Sequence, residues 1–294
     1  MADYLVKSII DDGNFRAYAV DATGVVAEAQ RRHDTWSASS AALGRTLTAT
    51  LLLSTSMMKG QESMTVKVQG DGPAKGIVVD ADAHGHVKGY IVEPHVHLPL
   101  NDQGHIDVSG AVGKAGALSV TKNLGLDKPY TGQVGLVSGE IGDDFTYYLA
   151  QSEQIPSAVG VSVFVENDNS IGVAGGFMIQ VLPGASDAAI TELETKLKEM
   201  PLVSQLLRDG KTPEDMLNDL FGADRVKILE KVPVAFQCDC SKEKFATDLA
   251  SLPDKDINEM IAEDHGAEAV CRFCGNKYAF SEADLNDILA SKNA

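Results

Sequence analysis

Apolar and polar residues alternate near the start of the chain. Across Tyr4–Glu28 the alternation is interrupted by turn sequences at Asp12-Gly13 and Thr23-Gly24. A period of two residues is typical of strands that bury one face, and Gly-containing turns join neighbouring strands. The pattern therefore predicts two short strands that pair as a hairpin or meander.

The next segment, Trp36–Met58, is rich in Ala, Leu and Met and in small side chains. This composition predicts a helix that lies close against a sheet. From Met64 to Phe177 the chain returns to short β-rich runs separated by Gly, Asp and Asn. Such runs predict strands joined by tight turns, and hence one α+β domain that ends near Pro183.

Helix signals dominate after that point. Ser186 precedes a stretch whose apolar residues lie three or four apart, and its hydroxyl predicts an N-cap. Thr212 followed by Pro213 is a second helix start, because proline lacks only an N–H that would be unpaired there. The segment after Pro183 is therefore predicted to contain several short helices.

The predicted fold class is α+β, with three parts. We expect a mixed sheet-and-helix domain over residues 1–184, a helical linker over residues 185–232, and a small cysteine-bearing domain over residues 233–294. The last part carries every cysteine of the chain and is too short to build a large core. Small modules of this kind usually need a disulfide or a metal to offset chain entropy.

Charge narrows the range of partners. The chain has 42 acidic and 25 basic residues, a formal charge of -17, which repels phosphate backbones and anionic membranes. No basic, apolar and small-residue succession of a secretory signal opens the sequence, so we expect a cytoplasmic protein. The apolar stretch Ala41–Met58 contains Arg45 and many hydroxyl residues, which predicts a buried helix rather than a membrane span.

The cysteines form two close pairs, Cys238-Asp239-Cys240 and Cys271-Arg272-Phe273-Cys274, with 30 residues between them. Four thiolates in two chelating pairs suit tetrahedral zinc, and Gly275 permits the tight backbone turn of such a site. We therefore predict one zinc ion per chain, bound by all four cysteines. Four unrelated buried thiols are the alternative, and their clustering argues against it.

The C-x-C pair adds a possible redox role. A disulfide within it closes a very small ring and is easily reduced, so these cysteines could sense oxidants. Two rival functions stay open: a thiol–disulfide oxidoreductase that uses Cys271 and Cys274, and a static zinc-ribbon adaptor. The acidic C-terminal segment disfavours nucleic acid as a partner of such a ribbon.

With these cysteines the chain resembles a known family, the redox-regulated 33 kDa heat-shock chaperones, also called 33 kDa chaperonins. The resemblance extends over essentially the whole length. Besides the cysteine spacing it rests on the following motifs: Ala42-Leu-Gly-Arg-Thr-Leu47, Gly70-Asp-Gly-Pro73, Tyr147-Tyr148, Ser152-Glu-Gln-Ile-Pro-Ser157, and Ala174-Gly-Gly176 with Gln180.

The resemblance implies an ATP-independent holdase rather than an enzyme. Its N-terminal domain would bind unfolding client proteins during oxidative stress, and the zinc domain would keep a linker docked over that domain. Oxidation would release zinc, free the linker and favour a homodimer, and clients would later pass to ATP-driven chaperones. We expect the disulfides to join Cys238 to Cys240 and Cys271 to Cys274, because sequence neighbours are the closest partners once the metal has left.

One position departs from the family pattern. Arg272 stands beside the first cysteine of C-x-x-C, where an acidic residue is expected, and a neighbouring cation favours thiolate.

Other motifs in the sequence are predicted to have structural roles or no specific function. Two His-x-His pairs, at His84 and His95, are predicted to be ordinary surface histidines, while Gly70–Pro73 and Ala174–Gly176 are predicted to be turns rather than phosphate loops.

Overall fold

The alternating residues at the start of the chain form two strands in the computed structural model, which describes residues 3–292. Tyr4–Ile10 and Phe15–Asp21 pair antiparallel, so the predicted hairpin is confirmed. The chain divides into two compact units between Gln237 and Cys238. Strands and helices occur in both units, which confirms the predicted α+β class.

Strands and helices alternate irregularly along the first unit. Its strands are β1 Tyr4–Ile10, β2 Phe15–Asp21, β3 Ser63–Gln69, β4 Ile77–Asp82, β5 His86–Ile91, β6 Ala117–Asn123, β7 Tyr130–Gly135, β8 Ser157–Val165, β9 Ile171–Val181, β10 Val226–Pro233 and β11 Ala235–Phe236. Its helices are α1 Thr23–His33, α2 Ser37–Met57, α3 Val108–Val112, α4 Gly142–Gln151, α5 Asp187–Glu199, α6 Val203–Arg208 and α7 Pro213–Phe221.

Two sheets organise this unit. The first has five antiparallel strands in the order β10-β1-β2-β9-β8. The second has six strands in the order β11-β5-β4-β3-β6-β7, in which β11 runs parallel to β5 and the other pairs are antiparallel. Strands β8 and β10 are therefore the edges of the first sheet.

Helix α2 packs against strands of both sheets and is buried along most of its length. The buried hydroxyls of Thr46 and Thr50 need no partner outside the helix, because they donate to carbonyls one turn earlier, Thr46 to Ala42 at 2.8 Å and Thr50 to Thr46 at 2.7 Å. Gly44 allows close packing, since an added Cβ would lie 2.6 Å from Val26 Cγ1. No helix within residues 3–292 is both long and apolar enough to cross a membrane.

Helices α5, α6 and α7 cover the other face of the first sheet, which is apolar. The predicted caps are confirmed: Ser186 Oγ accepts from Ala189 N at 3.2 Å, and Thr212 Oγ1 accepts from Asp215 N at 3.2 Å. The cluster under these helices contains Val6, Ile10, Phe15, Ala17, Ala19, Phe177, Ile179, Leu193, Val203, Leu206, Leu207, Met216, Leu217, Leu220 and Phe221.

The structure differs from the sequence expectations at several places. The Thr23-Gly24 turn is the start of α1, and Asp21 Oδ1 accepts from Thr23 N at 3.1 Å. Gly70–Pro73 lies in a turn region, but Ala174–Gly176 lies within β9, so its prediction as a turn was wrong. Glycine is needed there because a Cβ on Gly176 would lie 2.7 Å from the Gly160 carbonyl oxygen of β8.

The last part of the segment predicted as a helical linker, residues 226–232, belongs to β10, which pairs with β1. Residues 233–237, predicted to begin the zinc domain, belong to the first compact unit, and Ala235 and Phe236 pair with β5. Pairing across a distant strand decides these two cases, and such pairing has no local sequence signal.

The second unit is a β-hairpin with three helices: α8 Lys242–Ala250, α9 Asp254–Asp264, β12 Gly266–Val270, β13 Lys277–Ser281 and α10 Glu282–Lys292. The two strands pair antiparallel. Its buried core is small and consists of Ile257, Phe280, Leu285 and Ile288.

Candidate metal centre

The four cysteines lie on two short segments of the second unit. Cys238 and Cys240 lie in the extended stretch that precedes α8, whose first turn is capped by Ser241 Oγ accepting from Lys244 N at 3.3 Å. Cys271 and Cys274 lie in the turn between β12 and β13. The latter two are buried and the former two half-buried.

The sulfur atoms form one cluster. All four lie within 4.8 Å of one another. Cys238 Sγ is 3.8 Å from Cys271 Sγ, and Cys240 Sγ is 3.3 Å from Cys274 Sγ. A tetrahedral site with metal–sulfur distances of about 2.3 Å has sulfur–sulfur edges of about 3.8 Å. A disulfide needs about 2.05 Å, so the four residues are free thiols arranged at metal-binding spacing.

The second cysteine pair lies on a tight backbone turn. Gly275 N donates to the Cys271 carbonyl at 2.8 Å, and Cys271 N donates to the Asn276 carbonyl at 2.9 Å. Gly275 has a φ of 74°, which a Cβ would disfavour. The sequence-based role of Gly275 is thus confirmed, and the turn points both sulfurs to the same side.

Tyr278 is a site residue that the sequence did not indicate. Its hydroxyl donates to the Cys240 carbonyl at 2.9 Å and lies 3.2 Å from Cys240 Sγ. Its ring packs against Phe245 with the ring centres 5.2 Å apart. The aromatic contact fixes the position of the hydroxyl beside the sulfur cluster.

The environment shifts the pKa values of Cys238, Cys240 and Cys274 in different directions. Burial raises the pKa of Cys240, but hydrogen bonds from Tyr278 and from the other thiols outweigh it and lower that pKa to about 7. Burial raises the pKa of Cys274 to about 11 and raises the pKa of Cys238 as well. The Cys240 sulfur is therefore readily ionised, while a bound dication would be needed to hold the Cys238 and Cys274 sulfurs as thiolates near neutral pH.

Charged neighbours of the cysteines have other partners or face solvent. Asp239 pairs with Lys244, and Arg272 is exposed. Among residues 3–292 the cysteine cluster is the one group of three or more His, Cys, Asp or Glu side chains at metal-binding spacing. In the first His-x-His motif, the His84 and His86 rings lie 6.3 Å apart, without a third ligand.

In the first unit, hydrogen-bonded ion pairs attach the covering helices to the first sheet and to the turn between β1 and β2. Arg225 Nε donates to Asp11 Oδ1 at 2.5 Å, and Arg225 Nη1 donates to Glu192 Oε1 on α5 at 2.8 Å. These hydrogen bonds raise the pKa of Arg225 and lower that of Glu192 to about 2. On α7, Glu214 accepts from Tyr4 Oη of β1 at 2.7 Å.

Fold and site together define an α+β protein with a helix-covered apolar sheet in one unit and, in the other, a module whose four cysteines are spaced so that they could hold a metal ion. The chain matches the family model described as Hsp33 protein over residues 3–281, and it belongs to that family of chaperones.

The relatives support this assignment along the full length. A 33 kDa chaperonin of Lactiplantibacillus plantarum is 67% identical over 290 residues, covering 99% of this chain and 98% of that protein. Another, of Levilactobacillus brevis, is 65% identical and covers 100% of both chains. The crystal structure of a 33 kDa chaperonin from Thermotoga maritima matches with a TM-score of 0.93 at 35% identity, covering 100% of this chain and 99% of that chain.

Proposed function

We propose that this protein is a redox-regulated, ATP-independent holdase that binds unfolding proteins under oxidative stress. In the reduced state one zinc ion is bound by Cys238, Cys240, Cys271 and Cys274, and the protein is inactive. Oxidation forms disulfides, releases zinc and activates client binding. The observation that carries this proposal is the cluster of four free sulfurs within 4.8 Å of one another.

Zinc fits the donor set better than other common metals. Four soft thiolates at tetrahedral spacing are typical of structural zinc sites, whereas magnesium and calcium require oxygen ligands. When bound, zinc supplies a cross-link between the segment before α8 and the β12–β13 turn. The second unit needs such a cross-link because its own core is small.

Oxidation is proposed to join Cys238 to Cys240 and Cys271 to Cys274. The sulfur contacts in the reduced cluster run between the pairs, at 3.8 and 3.3 Å. Once zinc leaves and the unit loosens, however, closing a loop of three or four residues costs less entropy than closing one of more than thirty. Each disulfide releases two electrons, so two equivalents of peroxide oxidise all four thiols.

The proposal assigns a role to each part of the chain. Residues 1–184 form a client-binding domain, residues 185–232 form a linker, and the residues after it form a zinc-dependent switch. Helices α5–α7 of the linker segment cover a continuous apolar face of the first sheet. Exposed apolar surface of this kind binds other proteins. Zinc binding holds the linker docked, and loss of zinc frees it.

The same proposal includes a cytoplasmic location, a homodimer in the active state and transfer of clients to ATP-driven chaperones. It assigns no enzymatic activity. Cys271 and Cys274 lie on a hairpin turn rather than at the start of a helix in a βαβ unit, which argues against a thioredoxin-like oxidoreductase.

Light scattering from a thermally unfolding test protein tests the function. Peroxide-treated, zinc-free protein should suppress aggregation, and the reduced, zinc-loaded protein should do so poorly. A static zinc-ribbon adaptor would behave identically in both states. An oxidoreductase would instead reduce insulin disulfides, which the holdase would leave intact.

A further inference from the structure

A cavity of about 1040 Å³ lies in the first unit beside the edge strand β8. One wall is the stretch Val161–Val165 of that strand, and the other walls come from α6 and from the loop Leu100–Ile106. Its volume is at the upper end of the range for ligand sites, about 300–1,000 Å³. The metal centre does not explain this cavity, since all its lining residues precede Cys238.

The backbone of β8 faces this cavity with unused hydrogen-bonding groups. Val159 N donates to Thr146 Oγ1 of α4 at 3.0 Å, which shows that this N–H points away from β9. In an antiparallel pair every second residue has the same orientation, so Val161 and Val163 also direct N–H and C=O outward. Within residues 3–292, neither Val161 N nor Val163 N donates a hydrogen bond, whereas Val159 N donates to α4.

This edge lacks the features that usually prevent strand pairing. Proteins protect edge strands with charged side chains, prolines or covering elements. The sequence from Val161 to Val165 is Val-Ser-Val-Phe-Val, without charge or proline. On β10, the other edge of the same sheet, Lys227, Glu230 and Lys231 supply such charges.

The walls suit an extended chain of mixed composition. Leu100 and Leu202 project into solvent at the rim and are 62% and 49% exposed. Arg45 and Glu140 pair at 2.6 Å, and Arg208 lies over the Phe164 ring at 4.0 Å. The charged groups that line the cavity carry both signs, so neither anionic nor cationic ligands are selected.

We propose that the β8 edge binds an extended segment of an unfolded protein, which adds to the first sheet as a sixth strand. The proposal rests on the holdase function proposed above and assigns its binding surface. Every polypeptide can form main-chain hydrogen bonds, and the apolar rim adds side-chain contacts. Neither contribution requires a particular amino-acid sequence in the client. Because α6 belongs to the proposed linker, its release opens one wall and leaves the strand edge accessible.

Hydrogen exchange and matched proline variants test this proposal in the full-length, peroxide-activated protein. The probe is reduced and alkylated lysozyme, which stays unfolded. Binding should slow exchange of the Val161 and Val163 amides. Val161→Pro removes an outward donor without breaking the β9 ladder, and it should weaken binding about tenfold.

Gln133→Pro is the matched control, because it removes an outward N–H from β7, the edge of the other sheet. The neighbouring Leu136 N donates to the Gly116 carbonyl at 3.1 Å, which places Gln133 N–H on the outer side. This variant should bind the probe like the unmodified protein. Circular dichroism and thermal unfolding must show that both variants are folded.

The outcomes separate the two proposals. If unmodified protein binds the probe without protection at Val161 and Val163, and Val161→Pro binds normally, the edge proposal fails while the holdase function stands. Protection that depends on protein concentration without the probe would assign the edge to a second copy of this chain and overturn the proposal. Activated protein that binds no probe would overturn both.

Discussion

The hydroxyl of Tyr278 holds Cys240 at two points, at its carbonyl oxygen (2.9 Å) and at its sulfur (3.2 Å). A group that orients a metal ligand contributes to affinity although it does not touch the metal, and its loss typically costs 10- to 100-fold. Tyr278 is therefore a positioning residue of the proposed zinc site.

Replacing Tyr278 by Phe should lower zinc affinity about 10- to 100-fold. The aromatic contact with Phe245 is kept, so the change removes mainly the hydroxyl. Competition with a chromophoric chelator at fixed pH measures the affinity. Tyr130→Phe, an exposed tyrosine of the first unit, is the control. Equal affinities of the two variants would mean that the hydroxyl has no role in metal binding.

A second prediction concerns the attachment of the helices to the first sheet. Arg225 joins Asp11 to Glu192 on α5. Arg225→Gln should therefore raise the fraction of undocked linker severalfold, up to about fivefold, as expected for a half-buried ion-pair network near the surface. Reduced, zinc-loaded R225Q should suppress aggregation more than unmodified protein and less than the peroxide-activated form.

The matched control for this variant is Lys196→Gln. Lys196 pairs with the same Glu192 at 2.9 Å, but the pair lies within α5 and attaches the helix to nothing else. Reduced K196Q should remain inactive. Equal activity of the two variants would show that charge loss on α5, and not the link to the sheet, causes the effect.

Features set by nearby residues, such as helix caps, were predictable from the sequence, whereas the pairing of strands that are distant in the sequence was not. The caps at Ser186 and Thr212 depend on residues three positions away, so a local pattern contains the whole signal. The strand β10 depends on β1, more than 200 positions earlier, and residues 226–233 carry no signal of that partner. The cysteine cluster was predictable because two short motifs impose most of its geometry.

Two features required the tertiary structure. Tyr278 reaches Cys240 only because β13 lies beside the segment before α8, and nothing in Lys277–Phe280 distinguishes this tyrosine. The glycines of Ala174–Gly176 resemble a turn, but the close approach of neighbouring backbone on both sides explains them. Single-sequence patterns do not report such approaches.

A third prediction concerns the products of oxidation. Peroxide treatment at the unfolding temperature should yield mainly Cys238–Cys240 and Cys271–Cys274, together with one released zinc per chain. Peptide mapping without reduction identifies the pairs, and a zinc-sensitive dye follows the metal. A product dominated by Cys240–Cys274, which lie 3.3 Å apart in the reduced cluster, would show that oxidation precedes loosening of the unit.

Removal of zinc without oxidation should unfold the second unit, free the linker over residues 185–232 and leave residues 1–184 folded. Apparent zinc binding in small thiolate sites is worth roughly 10–16 kcal/mol, and whole domains are stable by only about 5–15 kcal/mol. A core of four buried side chains, among them Ile257 and Leu285, cannot replace that contribution. The expected result is loss of helical circular dichroism from α8–α10.

The chain's single tryptophan allows unfolding of the first unit to be followed separately from unfolding of the second. Trp36 lies at the start of α2, in the first unit, so its fluorescence reports that unit alone. Chelation under reducing conditions should leave the Trp36 thermal transition nearly unchanged, while trypsin should cut first in the linker and beyond Cys238. Added zinc should restore protection, which serves as the control. Simultaneous loss of the Trp36 signal and of protease resistance across residues 1–184 would contradict a metal-dependent switch that leaves this domain folded.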